Sequence, residues 1–317
     1  LPEEREAAAK YIYQYHRGQW PHGNKKDFYA LADMIEIQLG QGAQASTPQT
    51  TPAEKIDEEF RHIFGLDEGE DAVIASRLDG LESAADLKHL VSRLKEETGG
   101  VPISYKFAAS HYLEDEIELA VEAGVDVIVI DGAEAGTHAG QPLLEDAFGL
   151  PTMHALVRAV DFLEEKGVRD RVSIIASGGL FSPEHFLKAL ALGADAVYIG
   201  TAAVMAMIHT QMVESSPFEP PTQLALYNGR LKDELDIDLA VKSLTNYLNS
   251  CVAEMVLGVV ALGKSAITAV DRHDLCALTP EVAEITGVQL AYRRKGASAF
   301  PFQEQTADVG DGIPIPH

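Results

Sequence analysis

Small residues at two consecutive strand ends are the strongest chemical signal in this chain. Ser177, Gly178 and Gly179 close the run SIIASGG just before a helical pattern, and Gly200 and Thr201 close the next run, DAVYIGT. Bare backbone N–H groups at such junctions, with the positive end of the following helix, bind anions such as phosphate. The alternative is that these glycines only allow tight turns. Their spacing of about 22 residues, after the last two strands of the pattern, favours a phosphate site.

One lysine interrupts an otherwise apolar strand pattern. Lys106 stands between Tyr105 and Phe107 in ISYKF, and strand alternation points it to the face opposite both neighbours. A lysine in a barrel interior costs free energy unless negative charge compensates it. The alternative is a strand-end lysine whose ammonium group reaches solvent.

Further candidate residues lie at other strand ends. Gln41 closes the pattern EIQLGQGA and either hydrogen-bonds a ligand or serves as a plain cap. The loop DGAEAGTHAG contains Gly132, Gly136 and Thr137, in a position where barrels carry catalytic and binding residues. His138 in that loop is a candidate acid–base group, although a single loop histidine is more often a surface residue.

Other chemistry-bearing residues receive structural roles. Asp131 is predicted to order the loop after its strand, and His209 and Cys251 to lie on helix faces in the core. The two cysteines, Cys251 and Cys276, have no CxxC spacing, so neither a disulfide framework nor a metal site is expected. A reducing cytoplasm is the default.

The elements that position these residues alternate between strand and helix. Predicted strands are Tyr11–Tyr15, Met34–Gly40, Pro102–Phe107, Asp126–Asp131, Arg171–Ser177 and Asp195–Gly200. Predicted helices are Ala84–Thr98, Leu113–Ala123, Met153–Lys166 and Pro183–Leu192. This alternation predicts an α/β fold with parallel strands joined by right-handed crossovers.

Three segments fall outside the alternation. Residues 44–55, rich in Thr, Pro and Gln, are predicted as a loop that is either an active-site lid or merely mobile. The apolar stretch 251–263 falls short of the ~20 residues that a bilayer requires and is predicted as a buried helix, within an amphipathic segment 238–262. Gly, Pro and charge from Arg293 onward indicate a tail.

Charge limits the partners. Lys and Arg total 25 against 49 Asp and Glu, which gives a formal net charge of −24. Such a field repels phosphate backbones and anionic lipid, so neither nucleic acid nor a membrane is an expected partner. No basic region followed by an apolar core opens the sequence, which favours a cytoplasmic protein.

The ordered motifs resemble one family over residues 1–291. They are EIQLGQGA, VPISYKF, AGVDVIVIDGAEAGT, GLPT, RVSIIASGG, LGADAVYIGTA and PPTQLALYNGRLKDELDID. The chain resembles the FMN-binding synthase domain of glutamate synthases, specifically the stand-alone FMN-binding glutamate synthase family. This resemblance implies a flavin-binding (β/α)8 TIM barrel in which the two glycine junctions hold the FMN phosphate. Lys106 would lie against the isoalloxazine and stabilise the anion at its N1–C2 edge.

The resemblance also implies an FMN-dependent oxidoreductase acting on CH–NH2 groups. In glutamate synthases, reduced FMN passes a hydride to the imine formed from 2-oxoglutarate and ammonia, giving glutamate. The expected substrates are a 2-oxo acid and ammonia or an amine, the expected partner an electron-donor protein or a separate glutaminase subunit, and the expected assembly an oligomer. The expected catalytic residues are Lys106 and Gln41. The expected cofactor-binding residues are Lys106, Gly132, Gly136, Thr137, Ser177, Gly178, Gly179, Gly200 and Thr201.

Departures from the family pattern put the substrate in question. Gln38 and Gln44 stand where glutamate synthases typically have lysines, and STPQTTPAE replaces a glycine-rich segment. Each lost charge-assisted bond to a carboxylate is worth about 1.5–3 kcal/mol, so 2-oxoglutarate would bind weakly unless Arg61 or Arg77 compensates. No cysteine cluster follows GTA, and residue 1 is not Cys, so electrons and ammonia are expected from outside.

The barrel also departs from the family pattern. Two further strands and a GEGG motif precede LPEER in the family, so the six predicted strands correspond to the third to eighth. Since an open barrel exposes two edges, we expect a fragment of a longer product or pairing with a separate polypeptide. The predicted organisation is a partial FMN-binding barrel over 1–212, a C-terminal helical extension packed on it over 213–292, and a tail over 293–317.

Two other functions fit the same residues. One is an N-methylglutamate synthase-type subunit, which makes or cleaves an N-substituted amino acid. The other is a flavin-binding electron-transfer or scaffold subunit without a substrate site of its own, which the missing lysines and strands support.

Overall fold

The computed structural model describes residues 2–136, 140–215, 222–226 and 229–293. Its strands are β1 (Ile12–Tyr15), β2 (Met34–Gln38), β3 (Gln49–Thr51), β4 (Ala72–Ile74), β5 (Ile103–Ala108), β6 (Val127–Asp131), β7 (Ser173–Ser177) and β8 (Ala196–Tyr198). Its α-helices are α1 (Pro2–Ala7), α2 (Lys26–Tyr29), α3 (Glu58–Phe64), α4 (Ala84–Thr98), α5 (Leu113–Ala123), α6 (Pro142–Ala147), α7 (Thr152–Glu165), α8 (Pro183–Ala191), α9 (Thr201–Ser215), α10 (Thr222–Ala225), α11 (Ile237–Ala261) and α12 (Pro280–Thr286).

The main sheet has six strands in the order β1-β2-β5-β6-β7-β8, and each neighbouring pair is parallel. All six predicted strands and all four predicted helices are present, with boundaries within two residues of the expected ones. The α/β prediction is therefore confirmed. Within the described residues, β1 and β8 form the two edges of this sheet.

The sheet is curled into a partial barrel. A flat sheet would hold β5 and β8 three strand spacings apart, about 14 Å. Instead, Nζ of Lys106 on β5 lies 5.8 Å from the ring centre of Tyr198 on β8. The Tyr198 hydroxyl also interacts with Glu36 on β2, which is farther still across the sheet. Only a strongly curved sheet brings these side chains together on its concave face.

Strand alternation divides the side chains between two environments. On the convex side, Ile35 and Ile37 of β2 and Tyr105 and Phe107 of β5 are buried in a large core formed with α4, α5 and α7. On the concave side, Val127, Val129 and Ile175 form a small apolar floor. Glu36, Lys106 and Asp131 of the same strands lie beside this floor. The polar side chains that could take part in catalysis are therefore on the concave face.

Residues 44–55 are more ordered than the sequence indicates, and their prediction as a loop is wrong in part. They contain β3 and a 3-10 helix over Ala53–Lys55. β3 pairs antiparallel with β4, and the buried Arg17 after β1 donates to the carbonyls of Ala75 and Ser76 just beyond β4. A three-residue strand is too short to show periodicity, and its partner lies more than 20 residues away.

The prediction of a buried helix at 251–263 is also wrong. α11 packs against α9 and α8 along one side, which buries Cys251 and Val259. Val252, Leu257 and Val260 on its other side are 60%, 68% and 64% exposed. Because apolar residues occur all around the helix, its sequence has no clear amphipathic pattern from which the packed side could be predicted. α11 is long and apolar enough to cross a bilayer by length and composition alone, with a mean hydropathy of 1.2.

Candidate active site

A cavity of about 790 Å³ opens at the carboxyl ends of β5, β6, β7 and β8. This volume is in the range of small-molecule sites, about 300–1,000 Å³. Its lining comprises Gln41, Lys106, Asp131, Glu134, Ala135, Gly136, Ser177, Gly178, Gly179, Leu180, Phe181, Tyr198, Ile199, Gly200, Thr201, Ala202, Met205, Ala206, His209 and Tyr247. Residues more than 150 positions apart in sequence therefore converge on one site.

Most of the residues predicted from the sequence meet in this cavity. Those that line it are Gln41, Lys106, Gly136, Ser177, Gly178, Gly179, Gly200 and Thr201. Gly132 lies behind the wall, where its N–H donates to the Ser177 carbonyl and a Cβ would come within 2.1 Å of Thr152 Oγ1. Thr137 and His138 lie outside the described residues. The roles of all these residues in binding or catalysis stay predictions.

Two of the glycines differ in what surrounds them. Gly178 has a φ of +121°, and a Cβ there would lie 2.5 Å from Thr152 Oγ1 and 3.0 Å from the Ala135 amide nitrogen. Gly200 has no atom within 4 Å of the position of an added Cβ. Packing and backbone conformation therefore require glycine at position 178. At position 200 the fold does not require glycine, and its missing side chain only leaves space in the cavity.

The N-terminus of α9 adds a second anion-binding feature at the same wall. The helix starts at Thr201, directly after Gly200, and both Thr201 and Ala202 line the cavity. The first N–H groups of a helix have no partner within it and carry a partial positive charge. Backbone donors from the end of β7 and from α9 are therefore available to one anionic group.

Lys106 is buried on the concave face, with 8% of its surface exposed, so a solvent-reaching lysine is excluded. Its Nζ lies 3.9 Å from Glu36 Oε1. Gln14 on β1 donates to the same oxygen at 2.8 Å. Burial, together with the Glu36 carboxylate, raises the pKa of Tyr198 well above its ordinary value. Lys106, Glu36 and Tyr198 thus form one cluster beneath the cavity.

Sequence reasoning did not identify Glu36 or Tyr198. The signal for Glu36 was its alternation with the apolar Ile35 and Ile37, which places it on the same face as Gln38. The sequence could not predict that Glu36 lies near Tyr198, because β2 and β8 are far apart in strand order and only the curl of the sheet brings them together.

A chain of glutamine side chains supports the cavity wall beside Gln41. Gln44 Nε2 donates to Gln41 Oε1 at 2.9 Å, and Gln49 Nε2 donates to Gln44 Oε1 at 2.6 Å. Gln44 and Gln38 are both buried. Since its oxygen accepts from Gln44, Gln41 keeps its own amide N–H groups for the cavity.

Arg61, which the sequence left open as a replacement cation, does not line the described cavity. Its guanidinium instead donates to the carbonyls of Ala53, Ile56 and Asp67 beside α3. Arg77 does not line the cavity either. Within the described lining, Lys106 is the one Lys or Arg, against the carboxylates of Asp131 and Glu134.

Asp131 and Glu134 each tie neighbouring segments together. Asp131 Oδ2 accepts from the Gly42 N–H at 2.9 Å, so Asp131 orders the loop after β2, whereas the sequence indicated the loop after β6. Its Oδ1 is buried without a hydrogen-bond partner. Glu134 accepts from the N–H and hydroxyl of Thr152 and so caps α7, which has no side-chain cap of its own.

Two helices beyond the last strand also contribute side chains. His209 of α9 is exposed and lines the cavity, so its assignment to the core is wrong, whereas Cys251 is buried as predicted. Helical periodicity marks only the more apolar face, and α9 is apolar on most sides. Tyr247 of α11 donates to the Phe181 carbonyl at 3.0 Å, and burial raises its pKa to about 12.

Comparison with known proteins decides the family. Residues 1–265 match the model described as the conserved region in glutamate synthase. This chain belongs to the glutamate synthase family. The resemblance read from the motifs is thereby confirmed, and the partial barrel is that of a glutamate synthase-type domain.

The relatives of this glutamate synthase-family chain include larger proteins. It is 32% identical over 316 residues to a glutamate synthase large subunit-like protein of Rhizobium meliloti strain 1021, covering 94% of this chain and 70% of the relative. It is 31% identical over 275 residues to an archaeal-type glutamate synthase [NADPH] of Dehalococcoides mccartyi and 32% over 269 residues to the archaeal glutamate synthase [NADPH] of Archaeoglobus fulgidus. Those matches cover 85% and 84% of this chain but 55% and 52% of the relatives.

Solved structures with a similar arrangement include a flavocytochrome b2 variant with pyruvate bound. The likeness covers 100% of this chain and 65% of that one, at 20% identity and a TM-score of 0.48. The likeness to a second flavocytochrome b2 variant, with benzoylformate, covers 90% of this chain and 54% of that one, at 17% identity and a TM-score of 0.43.

Proposed function

We propose that this chain is an FMN-dependent oxidoreductase of the glutamate synthase type. In this proposal a hydride passes from reduced FMN to an imine formed from a 2-oxo acid and ammonia or an amine. The observation that carries the proposal is the cavity itself. It combines a buried lysine on β5 with bare backbone at the ends of β7 and β8 and with the start of α9.

The residues present fit a phosphomononucleotide. The open space beside Gly200 lets a ligand approach the backbone, and the N–H groups of Gly179 and of the first turn of α9 would hold the phosphate. Asp131 Oδ1, buried and without a partner, is an acceptor for a hydroxyl group such as those of a ribityl chain. The Glu134 side chain lies beside Gly179, and its carboxylate accepts from the N–H and hydroxyl of Thr152.

When bound, FMN would supply the hydride and would then be reduced again by two electrons from the donor together with a proton from solvent. The task of Lys106 is to present a positive charge from below, where negative charge develops on reduction. Gln41 would donate its amide N–H to the ligand, since the glutamine chain holds its oxygen. The walls from α9 and α11, with Met205 and Tyr247, would limit water at the reacting carbon.

The described charges favour a substrate other than a dicarboxylate. One lysine faces two carboxylates in the lining, and Gln38 and Gln44 are buried neutral amides at the positions where the family resemblance leads one to expect lysines. We infer that a monocarboxylic 2-oxo acid fits better than 2-oxoglutarate, the family default.

A flavin assay tests this proposal. The purified full chain is expected to show visible flavin absorbance or to acquire it with added FMN. After anaerobic reduction, the absorbance should return on addition of a 2-oxo acid together with ammonium or methylamine, and faster with pyruvate or glyoxylate than with 2-oxoglutarate. Flavin that binds but is reoxidised by none of these pairs would favour an electron-transfer or scaffold subunit. A protein that takes up no FMN would refute the proposal.

This function implies a cytoplasmic enzyme of amino-acid formation that receives electrons from a separate protein. The family relatives named for NADPH indicate the class of donor to test first. Reduction of bound FMN by NADPH alone, compared with NADPH plus a ferredoxin-type reductase, would distinguish a direct from a protein-mediated donor.

A further inference from the structure

We propose that Glu36 is a positioning residue that holds the Lys106 ammonium group in place at the cavity where the flavin would bind. This inference rests on the proposed function, because its consequence is read in the properties of bound FMN. Glu36 does not line the cavity. It therefore acts on the ligand through Lys106.

Glu36 interacts with three side chains, Lys106, Gln14 and Tyr198, and Lys106 is the cation among them. Glu36 is 3% exposed on β2, and its Oε1 lies 3.9 Å from Lys106 Nζ. Gln14 fixes that oxygen with a hydrogen bond of 2.8 Å from the neighbouring strand. Glu36 Oε2 is buried with no hydrogen-bond partner. A buried carboxylate kept in this condition is unfavourable unless a cation offsets it, and Lys106 is the cation within reach.

Other groups around Lys106 do not replace Glu36. The Tyr198 ring lies 5.8 Å from Nζ and contributes its π face, while its hydroxyl points toward Glu36. Asp131 is on the same face of β6, but its carboxylate forms no ion pair with Lys106 within 4 Å, and its Oδ2 accepts from the Gly42 N–H. Glu36 is thus the carboxylate within 4 Å of Nζ among the described residues.

Two opposite results distinguish positioning from simple charge screening. If Glu36 only screened Lys106, its removal would expose more positive charge and make bound FMN easier to reduce. If Glu36 holds Lys106, its removal leaves a buried lysine without a counter-ion, and the ammonium group then turns away from the ligand. FMN would become harder to reduce, as it would in Lys106→Met. The sign of the change therefore decides between the two.

The experiment is a double-mutant cycle on the midpoint potential of bound FMN. Glu36→Gln and Lys106→Met are each expected to reduce the equilibrium constant for two-electron reduction about tenfold, which is about 30 mV. Because Glu36 acts through Lys106, the double variant should match Lys106→Met alone. The dissociation constant for sulfite, which bleaches the visible absorbance of flavins next to positive charge, should rise about tenfold in the same three variants.

Matched variants control for charge and folding. Glu97→Gln removes a carboxylate bonded to Tyr29 and Arg93 on the convex side and should leave the potential unchanged. Glu36→Asp keeps the carboxylate, so its midpoint potential should lie close to that of the wild type. Gln14→Leu keeps the carboxylate but removes its orienting bond, so an intermediate shift is expected even if Glu36→Gln does not fold.

Several outcomes would overturn the inference while the proposed function stands. They are a higher potential in Glu36→Gln, an unchanged potential, or a shift that adds fully to that of Lys106→Met. A wild-type protein that binds no FMN refutes the proposed function instead. Circular dichroism and thermal unfolding of each apoprotein identify any variant whose potential change reflects misfolding.

Discussion

Replacing Gly200 or Gly178 with alanine separates ligand binding from folding, because the two positions have opposite surroundings. At Gly200, an added methyl group meets no described atom within 4 Å and the backbone has no positive φ. Alanine there is expected to leave stability unchanged or to raise it by about 0.4–1 kcal/mol, through the lower entropy of the unfolded chain. The methyl group would nevertheless occupy the space beside Gly200 where we propose that the FMN phosphate binds. We therefore expect FMN affinity to fall at least about tenfold, or about 1.4 kcal/mol.

At Gly178 the same substitution should destabilise the fold. A residue with a side chain at a φ of +121° costs about 1–3 kcal/mol. The contact of 2.5 Å with Thr152 Oγ1 adds about 1–3 kcal/mol of overpacking. With an unfolding entropy of about 2.1 cal/mol/K per residue, the combined loss lowers the melting temperature by about 3–10 °C.

The assay pairs thermal unfolding of each apoprotein with titration of FMN by quenching of its fluorescence. Gly200→Ala should melt with the wild type and bind FMN weakly. If it binds FMN as tightly as the wild type, the phosphate does not lie beside Gly200. If Gly178→Ala melts with the wild type, the strain assigned to that position is wrong.

Three further outcomes follow from individual contacts. Lys106→Met leaves Glu36 buried without its cation, so chemical denaturation should show a loss of about 3 kcal/mol, partly recovered when Glu36→Gln is added. Gln41→Leu removes one hydrogen bond to the ligand and should lower turnover about 3–10-fold in steady-state assays while the melting temperature changes little. The Arg158 guanidinium bonds Glu114 and holds its pKa below the ordinary 4.5, so this stabilisation is present above pH 4.5 and lost as the pH falls through the lowered value. Glu114→Gln should therefore cost about 0.5 kcal/mol at neutral pH, since the pair is partly exposed, and nothing in acid, as unfolding across a pH series would show.

Local pattern was sufficient for the elements of the barrel and for much of its rim. The uniform apolar run of β6 and the helical spacing of α4 and α5 each reflect burial that extends over the whole element. The glycines at 178 and 200 were identified because strand ends in parallel sheets meet at one edge. Boundaries moved by up to two residues where a strand end pairs with nothing beyond it, as at β8.

The residues that sequence reasoning missed depend on long-range geometry. Glu36 becomes meaningful only next to Lys106, and their strands adjoin although 64 residues of sequence lie between β2 and β5. Tyr198 reaches the site because the sheet curls, and Tyr247 reaches it because α11 packs against α8 and α9 and bonds Phe181 after β7. No local periodicity encodes either arrangement. Likewise, β3 and β4 stabilise each other across an intervening helix, and neither is long enough to be identified alone.

The acidity of this chain is compatible with an anionic ligand because the donors in the cavity act over short distances. A net charge of −24 repels an approaching phosphate. At physiological ionic strength, salt screens this repulsion beyond about 8–10 Å. Within hydrogen-bond distance, backbone amides and the start of α9 favour the anion regardless of the distant carboxylates. Lys106 does not serve as a general attractor, since Glu36 neutralises it at longer range. A group in contact with Lys106 would lie closer to its ammonium group than to the Glu36 carboxylate. The Lys106–Glu36 pair therefore attracts anions from solution only weakly, yet it offers a positive charge to a flavin that gains electrons in the cavity.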